Sequence, residues 1–304
     1  MKNLKPKNIL IKGILEKQNE QQSHEILEKI KELGIILDLE NIEKIFELLI
    51  AEDERKVNGA VYTPKFLIKY IIDSTVSKDM RVCDPACGSG AFLLVAAEKL
   101  ARYKDKTIID TIENNIYGVD ILSSSIRRTE IVLSLLALEN DEDKPEIAFN
   151  LRRADSLSLS WERTFPEVFK NGGFDAVVGN PPFVRSKNIS RDVKQEIQKR
   201  WHTTFGNFDL FIPFTEFGLS IIKGDGVLGY VLPNSLITAY NSRELRSYLK
   251  STKYVKRILD FNHFQLFNGF MTYTCVAIFD KKEKESFEFS LIENEDELDS
   301  LSDA

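Results

Sequence analysis

Cysteine is scarce in this sequence: 304 residues contain three, Cys83, Cys87 and Cys275. Three cannot build a disulfide framework, and Cys83 and Cys87 have no second Cys or His pair nearby to complete a metal site. Reduced thiols in a cytoplasmic protein without bound metal are the expectation. Long apolar runs are missing too, and the first twelve residues lack a secretory pattern, so no membrane span is expected. Nor is there an excess of basic residues: 47 acidic face 41 basic, a net charge of -6. Non-specific coating of nucleic acid rests on Lys and Arg neutralising phosphates, so that class is disfavoured. A local basic surface is still allowed.

What is present is an ordinary globular balance, 43% hydrophobic and 29% charged, enough for one large domain with an accessory segment. Residues 1–56 are rich in Lys, Glu, Ile and Leu. Ile26, Leu27, Ile30 and Leu33 fall at helical spacing, as do Ile42, Ile45, Phe46 and Leu49. This reads as a helical brace packed on the main domain. From Gly59 onward short β-rich runs (81–84, 116–120, 149–155, 174–179, 226–232) alternate with helical stretches (65–75, 91–103, 123–138, 210–222). Such alternation implies a parallel sheet covered on both faces. Runs 255–261 and 272–279 suggest a closing antiparallel pair, for about seven strands. Residues 283–304 carry nine acidic residues and one lysine; they read as a solvated tail or truncated linker.

The sharpest motif is Asp84-Pro85-Ala86-Cys87-Gly88-Ser89-Gly90-Ala91-Phe92, between an apolar strand and a helix, where a doubly wound sheet binds its ligand. Gly88 and Gly90 allow a turn tight enough for a ligand to lie on the backbone. It is not a dinucleotide fingerprint, because Leu93 stands where the third glycine would be, and it is not a P-loop, because no Gly-Lys-Ser/Thr follows. Asp120 ends the next strand, where a carboxylate can accept from two ribose hydroxyls. Asp155 ends the one after and could accept from an adenine amino group. Any one of these is commonly just a cap or turn residue; three in a row beside a glycine turn point to a site.

The second motif, Asn180-Pro181-Pro182-Phe183, follows the strand at 174–179. Two prolines fix the backbone and donate nothing, leaving carbonyl oxygens as acceptors, with the Asn180 amide beside them. Acceptors so placed suit methylation of an aromatic amine. Its lone pair is delocalised into the ring, and accepting both N–H groups localises it toward an electrophilic methyl. Phe183 offers a face for a base extruded from the duplex.

These residues resemble the gamma-order adenine-N(6) DNA methyltransferases of type I and type II restriction–modification systems. The resemblance runs from about Gly59 to Phe279. It implies a doubly wound α/β fold, Rossmann-like and of the class I S-adenosylmethionine-dependent kind, over 57–282. It also implies S-adenosylmethionine as cofactor and double-stranded DNA as partner. In that family the glycine motif, here Asp84, Ala86, Gly88 and Gly90, holds the cofactor. Tyr62 and Thr63 of Gly59-Ala60-Val61-Tyr62-Thr63-Pro64 cup its methionine part. Asp120, with Ile121 beside it, holds the ribose, and Asp155 the cofactor adenine. Asn180 and the Pro181 carbonyl accept from the target amine, Pro182 stiffens the turn, and Phe183 stacks on the target base. Phe267 resembles a second target-base aromatic, with Phe270 as competitor.

Single-chain members carry a target-recognition domain after the catalytic one, and here only residues 283–304 follow. A fragment, a recognition subunit supplied separately, or a degenerate remnant would each account for that. Residues 185–202 hold six basic residues (Arg185, Lys187, Arg191, Lys194, Lys199, Arg200) against two acidic, which suits a DNA-contacting lid as well as a solvated helix. The competing readings are methylation of a protein glutamine or an RNA base, a non-catalytic cofactor-binding subunit, and, more distantly, an NAD-dependent dehydrogenase.

Overall fold

The computed structural model describes residues 7–8, 63–103, 106–267 and 272–302. The expected brace therefore lies outside the described residues, apart from Lys7 and Asn8, whose backbone N–H groups donate to the Asp143 carboxylate at 2.6 and 3.0 Å.

Chain order and sheet order diverge in a way that creates the site. The strands are β1 (Val82–Asp84), β2 (Ile116–Asp120), β3 (Asn150–Arg153), β4 (Phe174–Gly179), β5 (Ile222–Pro233), β6 (Val255–Asp260), β7 (Thr274–Asp280) and β8 (Glu288–Leu291). They lie in the order β3-β2-β1-β4-β5-β7-β6-β8. β1 pairs in parallel with both β2 and β4. The first three strands step one way across the sheet and the fourth starts on the other side of β1. The connections leaving β1 and β4 thus part, and a crevice opens beyond their carboxyl ends. β7 runs antiparallel between β5 and β6, the closing pair expected from sequence.

Both faces of the sheet's centre are covered, so β1 and β7 are buried along their whole length rather than on alternate residues. Along β7, Val276 and Ile278 enter one layer while Cys275, Ala277 and Phe279 enter the other. The first layer holds α1 (Lys65–Thr75), α2 (Ala91–Ala101) and α4 (Ser123–Glu139), with α3 (Ile108–Asn115) between α2 and β2. α3 starts where the Thr107 hydroxyl accepts from Asp110 N, a standard N-cap. The second layer is built on aromatics, Trp161, Phe165, Phe174, Phe208, Phe211 and Phe217. It carries α5 (Arg191–Arg200), α6 (Phe211–Ile221) and α7 (Arg243–Thr252).

Among the described residues the sheet has eight strands, not seven. The acidic segment 283–304, expected to be a solvated tail, supplies β8, which adds to β6 in parallel, and α8 (Glu295–Ser302). Ile292 is buried, and Leu298 and Leu301 pack against the first layer. The apolar residues are few and spaced among charges, so composition hid them.

Candidate functional site

Each of the first four strands in the chain, β1 to β4, leads to one polar group of the crevice. At the end of β1 the Asp84 carboxylate is buried and accepts Ala86 N at 2.9 Å. It sits against β4, where Gly179 has φ +148° and a Cβ would fall 2.6 Å from Asp84 Oδ1. Burial pushes this carboxyl up to about 8; the Ala86 N–H opposes the shift and the Asp120 charge adds to it. Past Asp84 the chain turns through Gly88 and Gly90, both left-handed, into α2. A Cβ on Gly90 would lie 2.9 Å from the Thr129 side chain.

At the end of β2, Asp120 Oδ2 accepts Gly88 N at 3.0 Å and Oδ1 accepts Leu122 N at 2.8 Å. The carboxylate thereby fixes the glycine turn to its neighbouring strand. Burial raises its pKa, while the Leu122 and Gly88 donors pull it down. Each oxygen retains lone-pair capacity for a further donor. Beyond β3, Asp155 is exposed, accepting Leu157 N and the Ser158 hydroxyl, both at 3.0 Å. Ser156 Oγ donates to Pro85 O at 2.5 Å and joins this loop to the first.

At the end of β4 the Asn180 Nδ2 donates to Thr63 Oγ1 at 3.1 Å. Its Oδ1 is buried and has no hydrogen-bond partner among the described residues. A buried acceptor without a donor costs on the order of 1–3 kcal/mol, and this one belongs to a residue that lines the cleft. Pro181 is buried, and Pro182 and Phe183 are half-buried.

These groups share one cleft of about 520 Å³, lined by Thr63, Asp84, Ala86, Gly88, Asp120, Ile121, Asp155, Asn180 and Pro182. That volume suits a nucleoside-sized ligand. Gly90, Pro181, Phe183, Arg185, Lys187 and Phe267 are not on its wall. Gly90 instead caps α2. Phe183 meets Phe267 edge to face, centroids 6.4 Å apart, and Phe267 is only 3% exposed. Arg185 and Lys187 are exposed just beyond the catalytic-type turn. Tyr62 and Phe270 lie outside the described residues.

The sequence pointed to segment 185–202 as a lid or a solvated helix through its basic residues, and missed both its apolar roof contacts and the far wall. Ile189, Ser190, Val193 and Ile197 cover the cleft, and Leu210 and Phe214 of the α6 start close it. Val193 and Ile197, four apart on an otherwise charged helix, were the available signal. The roof is tied at two places. Arg200 donates to Ser158 O at 3.1 Å. The buried Glu216 carboxylate on α6 accepts His202 N at 3.1 Å and Thr203 N at 2.9 Å.

The sheet order and the cleft at its switch point define a class I S-adenosylmethionine-dependent methyltransferase fold. Among solved structures, a chain of the DrdV–DNA complex matches 94% of this chain with a TM-score of 0.71 at 14% identity. A Listeria monocytogenes protein assigned to the class I S-adenosylmethionine-dependent methyltransferases matches 96% of it, and 88% of its own length, with a TM-score of 0.62 at 15% identity. Within that class, residues 114–267, half of the chain, match the family model "Eco57I restriction-modification methylase", and the chain belongs to that family. The Escherichia coli type II restriction enzyme and methyltransferase RM.Eco57I is 26% identical over 88% of this chain. The chain spans about a third of that enzyme's length (32%) and of the DrdV chain (35%).

Proposed function

We propose that this chain transfers a methyl group from S-adenosylmethionine to the exocyclic N(6) amino group of adenine in double-stranded DNA, as part of a restriction–modification system. The observation that carries the reading is Asn180 Oδ1, a buried acceptor without a donor, at the end of β4 in the same cleft as Asp84, Asp120 and the glycine turn. RM.Eco57I is named as a restriction enzyme and methyltransferase, which supports the reaction class.

The cleft residues fit the cofactor. Asp120 would accept from the ribose hydroxyls, Ile121 and Asp155 would border the adenine, and Thr63, Ala86 and Gly88 would border the methionine end. S-adenosylmethionine, when bound, supplies an electrophilic sulfonium methyl. Asn180 Oδ1 takes one N–H of the target amine and the Pro181 carbonyl the other, which concentrates the lone pair on nitrogen. Thr63 holds the amide so that its oxygen, not its NH2, faces the amine. Pro182 brings no N–H that could compete as a donor. Phe183, steadied edge-on by Phe267, presents its ring to the extruded base. Arg185 and Lys187, exposed next to that turn, would meet the flanking phosphates. The contribution is positioning and electrostatics.

The test is labelled methyl transfer to mixed-sequence DNA followed by mass spectrometry of the nucleosides. The expected product is N(6)-methyladenine, with Asn180→Ala reducing its rate by about a hundredfold or more. Label recovered in protein glutamine or RNA in place of DNA adenine would overturn the reading.

A further inference from the structure

Beside the cleft lies a surface that the methyl-transfer site does not use. Tyr240, in the 3-10 turn Tyr240–Ser242 just before α7, is 76% exposed, and Phe205, in the loop between α5 and α6, is 66% exposed. Between them sits Arg243, its guanidinium 4.5 Å from the centre of the Tyr240 ring and 5.6 Å from that of Phe205. Large aromatics left in solvent singly are common; here two of them flank one guanidinium, which donates through Nε to the Glu244 carboxylate at 2.9 Å and through Nη1 to the Tyr240 hydroxyl.

Hydrogen bonds connect this face to the catalytic-type turn. Asp209 accepts Asn241 Nδ2 at 3.2 Å through one oxygen and Ser186 N at 2.8 Å through the other. Asn241 adjoins Tyr240, and Ser186 lies three residues past Phe183. On the other side, Gln198 of α5 donates to Gly206 O at 3.3 Å, next to Phe205. The face therefore lies between the basic segment 185–202 and the Tyr240 turn, at the same edge of the sheet as Asn180.

We infer that Phe205, Tyr240 and Arg243 receive the DNA strand next to the extruded base, the rings against bases or sugars and the guanidinium against a phosphate. This rests on the proposed function and names a surface for its substrate. The choice of nucleic acid rests on charge: the chain is net acidic, yet six basic residues against two acidic occupy the adjoining segment. Flat π faces beside a cation suit a partner whose bases have been unstacked.

The test measures binding of a labelled mixed-sequence duplex with one mismatched adenine to the full chain, to a Phe205→Ala/Tyr240→Ala double variant and to Arg243→Gln. Cofactor binding and thermal unfolding of the same proteins check that the cleft and fold are intact. The double variant is expected to bind the duplex about tenfold more weakly. Arg243→Gln should flatten the slope of log affinity against log salt by about one. Cofactor affinity should stay within about twofold. Duplex affinity and salt slope unchanged in both variants would overturn the inference, even if wild type methylates DNA normally. Weakened binding by the variants of a chain that transfers no methyl group to DNA would sustain the surface while removing the proposed reaction. A wild type that binds no duplex would overturn the surface outright.

Discussion

Asn180 shows how a single amide can be aimed. Its nitrogen is occupied by Thr63, so the oxygen is left facing the cleft. Thr63→Val removes that partner while keeping the shape. We expect methyl transfer to fall tenfold or more with stability altered by less than about 1 kcal/mol, within the range of one neutral hydrogen bond; a single-turnover assay beside thermal unfolding checks it. Gly179 is the opposite case, since any side chain there meets the Asp84 carboxylate at a backbone angle that L residues avoid. Gly179→Ala should destabilise the fold by roughly 2–4 kcal/mol, measured by denaturant titration. Asp84 itself predicts a pH dependence. Its folded pKa, about 8, lies above the ordinary carboxylate value of 3.8 because the group is buried. The stability contributed by the protonated carboxyl is complete below about pH 4 and is lost as pH rises through 8. Wild-type Tm should therefore decline from about pH 4 to about pH 8 and level off above that. Asp84→Asn, which cannot ionise, should decline less; parallel curves would contradict the assignment.

At the scale of elements, the roof helix α5 carries the least expected role. It presents Val193 and Ile197 to the cleft and is held at its end by the Glu216 carboxylate, which serves two backbone donors. Glu216→Gln keeps one acceptor oxygen and loses the charge. Cofactor affinity is expected to drop several-fold, with faster amide exchange across 191–200, while the sheet retains its protection; unchanged exchange there would show that the anchor is idle. The glycine turn, the row of Asp84, Asp120 and Asp155, and the Asn180 turn were all legible in the sequence, because tight turns and strand-end carboxylates restrict residue choice locally. The roof was legible only in part. Its basic residues stood out, but a helix whose two apolar contacts point into a ligand cleft looks like a solvated one. β8 was not legible, since its four residues are exposed and its pairing with β6, including Arg257 with Glu288 at 2.6 Å, joins segments about thirty residues apart. Neither was the far wall at Leu210 and Phe214, whose apolar side chains match those of a core helix.

Over the whole molecule, the sheet order does the organising: the reversal at β1 and β4 brings cofactor-type and amine-type groups to one edge, and the second layer adds the roof and the aromatic face. No residue of β8 or α8 lines the cleft. Removing 293–304 would strip α8 and its Leu298 and Leu301 contacts from the first layer, and should lower Tm by several degrees while leaving cofactor affinity within about twofold. The chain spans about a third of the length of RM.Eco57I. The most direct measurement of the central claim is calorimetric titration of S-adenosylmethionine into wild type, Asp120→Ala and Asn180→Ala. The account predicts micromolar affinity for wild type, about -8 kcal/mol, at least tenfold weaker binding for Asp120→Ala, and near-wild-type binding for Asn180→Ala. No binding to a folded wild-type chain would contradict it.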